Sequence, residues 1–105
     1  MIHHIVFLSL SEMADQAKLR DVMDGLRKLV GQIHGFIDFK HGPNIDVEGK
    51  SPEAPYGFIC VFENETALHR YTDDPRHRAL GAQLVVLCEG AHRIKVYDLK
   101  VLCDA

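Results

Sequence analysis

The segment Tyr71-Thr72-Asp73-Asp74-Pro75-Arg76-His77 sets a phenol and an imidazole on either side of an Asp-Pro pair. Asp is a good helix N-cap and Pro suits the first helical position, so this spelling predicts a helix starting at Pro75. His77 then falls in the first turn of that helix, and Tyr71 closes the segment before it. A histidine titrates near pH 6.5 when unperturbed, which suits proton abstraction next to a carbonyl. The positive end of a helix disfavours the imidazolium, so the base form is favoured there. Tyr71 and His77 are therefore the candidate catalytic residues, with His77 as base. The bland alternatives are a histidine that holds the helix start and a core aromatic with its hydroxyl at the rim.

The other histidines are less suggestive. His3 and His4 adjoin in sequence, and strand alternation sends them to opposite faces, so they cannot chelate one metal together. His4 shares its face with Val6 and Leu8 and points either into a barrel interior or towards a helix layer. His34, His41, His69 and His92 are expected to be solvated. No His-x-x-x-His or carboxylate-histidine spacing supports a metal site, and none is expected. Gly-x-Gly-x-x-Gly, a phosphate loop and Gly-x-Ser-x-Gly are all missing, which argues against nucleotide binding and serine hydrolysis. No cofactor is expected. Cys60, Cys88 and Cys103 form no Cys-x-x-Cys pair and make a poor disulfide framework. They read as reduced thiols in a cytoplasmic protein, two of them packed as small apolar groups and Cys103 exposed.

With 105 residues, the chain is expected to form one domain over residues 1–105. Fifteen acidic residues against 12 Lys plus Arg give a net charge of −3, and no basic cluster exceeds two in a row. Nucleic-acid binding is not expected on that basis. No apolar run reaches the ~18 residues that cross a membrane, and the N-terminus reads straight into a strand rather than a signal peptide.

The elements that would position these residues follow from periodicity. Residues 2–10 read as a strand that is apolar on both faces, as do residues 56–62, and such strands lie centrally in a sheet. Leu19, Val22, Met23, Leu26, Leu29, Val30 and Ile33 recur at helical steps after a cap at Asp15 or Ser11. Gly25 inside that helix is expected to allow close packing on the sheet. Residues 36–41 alternate Ile37, Phe39 and His41 with Asp38 and Lys40, the pattern of an edge strand. A long loop over 42–55 follows, of the kind that often carries function or partner contacts. Asn64 is the candidate cap of a short helix whose inner face carries Ala67, Leu68 and Tyr71. The helix from Pro75 to about Glu89 is expected to turn Ala79, Leu80, Leu84, Leu87 and Cys88 inward and to stop at Gly90. Residues 93–101 form the last strand, with Ile94, Val96 and Asp98 opposite Lys95, Tyr97 and Leu99.

The resulting order, β-α-β-β-α-β with the second helix broken in two, is the ferredoxin-like α+β plan of a four-stranded antiparallel sheet. Right-handed crossovers put the first and third strands in the middle, in agreement with their apolar faces. Helices cover only one sheet face. The other is expected to carry an apolar row such as Val6 and Leu8 or Phe58 and Phe62, and exposed patches of that kind mark interfaces. A two-fold homodimer with the sheet faces packed together is the economical solution.

These features resemble the stress-responsive A/B barrel (dimeric α+β barrel) family over nearly the whole length. The resemblance is carried by His4-Ile5-Val6-Phe7, Gly35-Phe36, Gly42-Pro43-Asn44 and Phe62-Glu63-Asn64-Glu65-Thr66-Ala67-Leu68. The Tyr71-to-His77 motif is its most specific part, and Val96-Tyr97-Asp98 closes it. It implies a ferredoxin-like protomer that dimerises into a barrel. It also implies kinship with a plant polyketide cyclase, which closes a linear polyketide by aldol condensation without cofactor. Tyr71 and His77 match that enzyme's substrate-positioning tyrosine and base, and His4 matches a pocket-lining histidine of its first strand. Tyr56 stands where the cyclase has a further histidine, so it can donate a hydrogen bond but cannot act as base at neutral pH. The resemblance therefore implies an apolar cavity between sheet and helices that takes a small carbonyl-bearing or aromatic ligand, with His4 and Tyr56 as substrate-binding residues. Two rivals stand beside it: a non-enzymatic, stress-associated structural dimer, and a cofactor-independent monooxygenase by fold analogy.

Overall fold

The computed structural model describes residues 1–102. Cys103, expected to be exposed, lies outside the described residues. The elements are β1 (Ile2–Leu8), α1 (Gln16–Arg27), β2 (Phe36–Pro43), β3 (Tyr56–Phe62), α2 (Glu65–Asp73), α3 (Pro75–Cys88) and β4 (Ile94–Lys100), with a single 3-10 turn at Ala91–Arg93. The four strands form an antiparallel sheet in the order β2-β3-β1-β4. The two strands that are apolar on both faces are the central pair, and β2 is an edge, as the pattern implies.

Helix starts follow the sequence closely. The Asp15 carboxylate accepts from the amides of Ala17 and Lys18, Asn64 from Ala67, and Asp74 from Arg76, with Pro75 in the first turn of α3. Each contact satisfies an amide that has no intrahelical partner. The first helix is shorter than its apolar stripe. It ends at Arg27, and Leu29 and Ile33 reach the core from a run of turns instead. Gly25 packs against another helix rather than the sheet: a β-carbon there would fall 2.8 Å from Leu80 Cδ2 of α3. Ala79 is exposed. It falls outside the inner stripe of α3, which runs through His77, Leu80, Leu84, Leu87 and Cys88 at three- and four-residue steps. Ile37 is also turned outward, because a bulge between Phe36 and Asp38 gives the buried side to Phe36 and Phe39.

One expectation about the sheet is reversed. Val6, Leu8, Phe58 and Phe62 belong to the core under the helices, together with Ile2, His4 and Cys60. The uncovered face carries the alternate residues instead: His3, Ile5 and Phe7 of β1, Ile59 and Val61 of β3, and Tyr97 and Leu99 of β4. With both faces apolar, the pattern of β1 and β3 contains no information about which side the helices choose. Cys60 and Cys88 are buried free thiols, as expected. The loop after Pro43 is tied to itself. Asn44 Nδ2 donates to Ser51 Oγ and to the Ala54 carbonyl, both at 2.9 Å, and the Asp46 carboxylate accepts from the amides of Lys50 and Ser51.

Gly35 joins the turns after α1 to β2 with a φ of +87°, and a β-carbon there would lie 2.5 Å from Ala67 Cβ. Both the backbone conformation and the approach of α2 require glycine. Gly35→Ala is expected to lower stability by about 1–3 kcal/mol, the scale of a strained backbone position, measured as a shift in urea midpoint at unchanged slope.

Candidate functional site

Tyr71 is fully buried at the end of α2. Its ring meets Phe36 at 5.3 Å, Phe62 at 5.0 Å, His4 at 5.6 Å and His77 at 4.0 Å between centroids. The sequence sets this up. Asn64 starts α2 so that Ala67 and Tyr71, one turn apart, both face the sheet, and the Asp74-Pro75 break then turns α3 so that His77 comes back onto the tyrosine. The hydroxyl oxygen of Tyr71 accepts a hydrogen bond from the Cys60 thiol, with sulfur and oxygen 3.7 Å apart. Burial pushes the Cys60 thiol up to about 12 and pushes the Tyr71 phenol well above its usual range, so both stay protonated at neutral pH.

His77 is half-buried, and its Nδ1 is buried without a hydrogen-bond partner. Burial holds its imidazole below the ordinary histidine range and the neighbouring His4 lowers it further, against smaller upward pulls from the Thr72 backbone and the Asp74 carboxylate. The net effect keeps the ring neutral, with a basic nitrogen available. The nearby carboxylate of Asp74 is engaged elsewhere. It caps α3 and takes a two-point contact from the Arg76 guanidinium at 3.0 and 2.8 Å, which holds it at about 2.

His4 points to the helix layer, which settles the alternative left open by strand alternation. Its Nδ1–H donates to Asp98 Oδ1 at 2.5 Å across the β1–β4 register, where the two residues are direct partners. A carboxylate on one ring nitrogen fixes the tautomer and leaves Nε2 for other work. Three of the four expected site residues, His4, Tyr71 and His77, thus come together as one cluster. Tyr56 does not join them. It lies four residues from Cys60 along β3, about 13 Å away at strand rise, and its hydroxyl lies 2.5 Å from Nδ1 of the exposed His41.

Asp98 and Cys60 were not expected at the site. Asp98 had one signal: it alternates with Ile94 and Val96 on the helix side of β4, where Val96 and Asp98 are exposed at the sheet edge, and the register brings His4 opposite it. Cys60 had no such signal. Three surface cavities, of about 460, 260 and 460 Å³, are lined by other residues.

In chemical terms the cluster offers an imidazole with an unpaired nitrogen and a second imidazole oriented by a carboxylate, packed among aromatic rings. It presents no arrangement of three or more metal-ligating side chains among the described residues. No described helix is long and apolar enough to cross a membrane.

Comparison with known proteins agrees with this architecture. No curated protein matches the chain. A dimeric ferredoxin-like protein from Jannaschia sp. CCS1 is 38% identical and superposes with a TM-score of 0.90, covering 95% of this chain and 98% of that one. A dabb family protein with a ferredoxin-like fold from Mesorhizobium loti is 22% identical with a TM-score of 0.71, covering 97% of both chains. The hydroxynitrile lyase of Passiflora edulis has the same fold at 14% identity, with a TM-score of 0.80 over 96% of this chain and 93% of that one. The model of the Stress Responsive A/B Barrel Domain matches residues 2–101. With that model spanning nearly the whole length and a relative 38% identical, the chain belongs to the stress-responsive A/B barrel family.

Proposed function

We propose that this protein is a homodimer that binds a small carbonyl-bearing or aromatic molecule beside His77 and moves a proton on it without a cofactor. The observation that carries the reading is the orphaned Nδ1 of His77. Leaving a buried polar atom unpaired costs about 1–3 kcal/mol, and such atoms call for an explanation. A ligand that supplies the missing proton explains this one. His77 is the base, taking a proton from a hydroxyl or from carbon next to a carbonyl. Tyr71 packs its ring on His77, and its oxygen accepts from the Cys60 thiol. His4, held by Asp98 and packed against Tyr71, is the proposed partner of the ligand oxygen. Tyr56 lies too far along β3 to touch the same small ligand. The hydroxynitrile lyase of this fold supports the class, since release of cyanide from a cyanohydrin begins with removal of a hydroxyl proton.

The dimer half of the reading rests on the uncovered sheet face, where Ile5, Phe7, Ile59, Tyr97 and Leu99 lie together. The Jannaschia relative is described as dimeric. A second reading has one observation in its favour. The rings of Tyr71, Phe36, Phe62 and His4 fill the space between sheet and helices, which suits a structural dimer without a ligand.

The two readings separate on His77→Ala. For the base, turnover of a cyanohydrin or a β-dicarbonyl substrate is expected to fall roughly 10²- to 10⁴-fold while the fold persists. Tyr71→Phe is expected to cost less, because the ring remains. For the structural dimer, only the melting temperature moves. A panel of aromatic carbonyl compounds is expected to stabilise the protein, by about 2.7 kcal/mol at 100 times the dissociation constant, and a panel with no thermal shift would favour the structural reading.

The pH dependence has a definite sign. The folded state lowers the His77 pKa below 6.5, so between the two values the unfolded chain holds more protons than the native one. Stability therefore rises with pH across that window and is lost as pH falls through the folded value. The rate of a His77-catalysed reaction is expected to rise with pH over the same range, with a midpoint below 6.5. Titration of the His77 ring by NMR checks the midpoint directly, and a midpoint above 6.5 would contradict the desolvated, unpaired imidazole.

Light scattering during size exclusion is expected to give about twice 11.8 kDa at micromolar concentration. A monomer of 11.8 kDa would remove the dimer from the reading.

A further inference from the structure

The cleft between the start of α1 and the end of α3 lies outside the tyrosine–histidine cluster. The two helices run antiparallel there. Gly25, near the end of α1, packs on Leu80 in the first half of α3, and Ser11, ahead of α1, donates its amide to the Leu87 carbonyl near the end of α3. Between them is a cavity of about 460 Å³ lined by Met13, Ala14, Val86 and Leu87, together with the charged Lys18 and Glu89. That size, with apolar walls and few polar groups, is usual for a small-molecule site. Met13 and Val86 are 89% and 75% exposed, so the apolar rim has no cover within the protomer. Asp15, a further acid on the cavity, is engaged in capping α1.

The two charged residues each run against the chemistry of their own helix. Glu89 ends α3 in the left-handed conformation, at φ +61°, where glycine is the usual residue, and the glycine of this sequence comes one position later. Asp46, the other described non-glycine residue at positive φ, has a carboxylate that accepts from the amides of Lys50 and Ser51. The longer side chain of glutamate is less suited to such a local bond. Glu89 also puts a negative charge at the negative end of α3, and Lys18 puts a positive charge in the first turn of α1, at its positive end. Neither forms an ion pair among the described residues, although they line the same cavity. Residues that break local rules in this way gather at functional sites. Here they leave one free carboxylate and one free ammonium on an apolar cleft.

We propose that this cleft binds a small apolar amino acid as its zwitterion, with the ligand ammonium on Glu89, its carboxylate on Lys18 and its side chain against Met13, Val86 and Leu87. The charge pattern selects the class. A simple amine leaves Lys18 without a partner, a simple acid leaves Glu89 without one, and a zwitterion satisfies both. The open carbonyls at the end of α3 add to the attraction for an ammonium. Methionine adapts to varied apolar shapes, so the site is strict about charge and tolerant about side chain. Val86 is nine residues beyond His77, about 14 Å along α3, and the proposal does not depend on proton transfer at that histidine.

Isothermal titration calorimetry of the full chain with L-phenylalanine, 2-phenylethylamine and 3-phenylpropionate tests this, since the three probes share a ring and differ in charge. L-Phenylalanine is expected to bind, and each probe that lacks one charge is expected to bind about 10- to 100-fold more weakly, the scale of a charged hydrogen bond. Glu89→Gly and Lys18→Met are expected to weaken L-phenylalanine by a similar factor. Glu89→Gly is also expected to raise the melting temperature, because it relieves the left-handed backbone and takes the charge off the helix end. A lowered melting temperature with unchanged affinity would make Glu89 a structural residue and overturn the assignment. Equal binding of all three probes, binding of the amine alone, or no binding of L-phenylalanine would overturn it as well. Should a variant fail to fold, amide chemical shifts of the unaltered protein decide the matter. L-Phenylalanine is expected to move the amides of Lys18, Val86 and Glu89, and shifts confined to His4, Tyr71 and His77 would give the ligand to that cluster instead.

Discussion

Tyr71 sits where the sheet and both C-terminal helices meet, and it packs on a ring from each of the other elements there: His4 from β1, Phe36 from β2, Phe62 from β3 and His77 from α3. An aromatic side chain of this size is worth several kcal/mol in a core, and removing it leaves a cavity with five elements around it. Its hydroxyl has been given a partner inside the core rather than at the surface, the Cys60 thiol. Turning the residue outward would leave the buried Cys60 thiol without this partner. That immobility is what makes His77 a defined group, since the imidazole has the tyrosine ring as its closest aromatic neighbour.

The break between α2 and α3 serves the same end. Asp74 ends one helix and caps the next, and its second oxygen is held by Arg76. Asp74 still raises the proton affinity of His77, as does the Thr72 backbone, but burial and the neighbouring His4 outweigh them and hold the imidazole below its ordinary range. Local helix chemistry and site electrostatics are thus one arrangement, read twice.

Much of this was legible in the sequence. The caps at Asp15, Asn64 and Asp74, the strand order and the closeness of Tyr71 to His77 all follow from local rules of spacing and side-chain chemistry. The parts that were not legible depend on choices between equivalent surfaces. β1 and β3 are apolar on both sides, so Val6, Leu8, Phe58 and Phe62 fit either face equally well by pattern. The choice is made by the helices, which the strands do not encode. Ile37 was misplaced because a bulge shifts the alternation by one residue, and no residue type announces it. The contact between Gly25 and Leu80 joins two helices that are far apart in sequence. The pairing of His4 with Asp98 needed the register of β1 on β4, which only the folded sheet fixes. Tyr56 failed to join the cluster for a related reason. A strand rises about 3.3 Å per residue, so a position four residues from Cys60 belongs to the other end of the sheet, whatever it matches in a relative.

The two faces of β1 divide the labour of the molecule. His4 faces inward with Ile2, Val6 and Leu8, while His3, Ile5 and Phe7 face the uncovered side. Because strand side chains alternate, a register slip of one residue would exchange the two sets completely. It would bring Phe7 and His3 under the helices and put the partner of Asp98 on the wrong face. The register of β1 is therefore held from both sides at once, by the aromatic cluster around Tyr71 above and by the close approach of Gly57 to the Val6 carbonyl and the Phe7 ring below. A sheet pinned in this way keeps the cluster of His4, Tyr71 and His77 on the opposite side from its uncovered apolar face. The two surfaces therefore share the backbone of one sheet but no side chain.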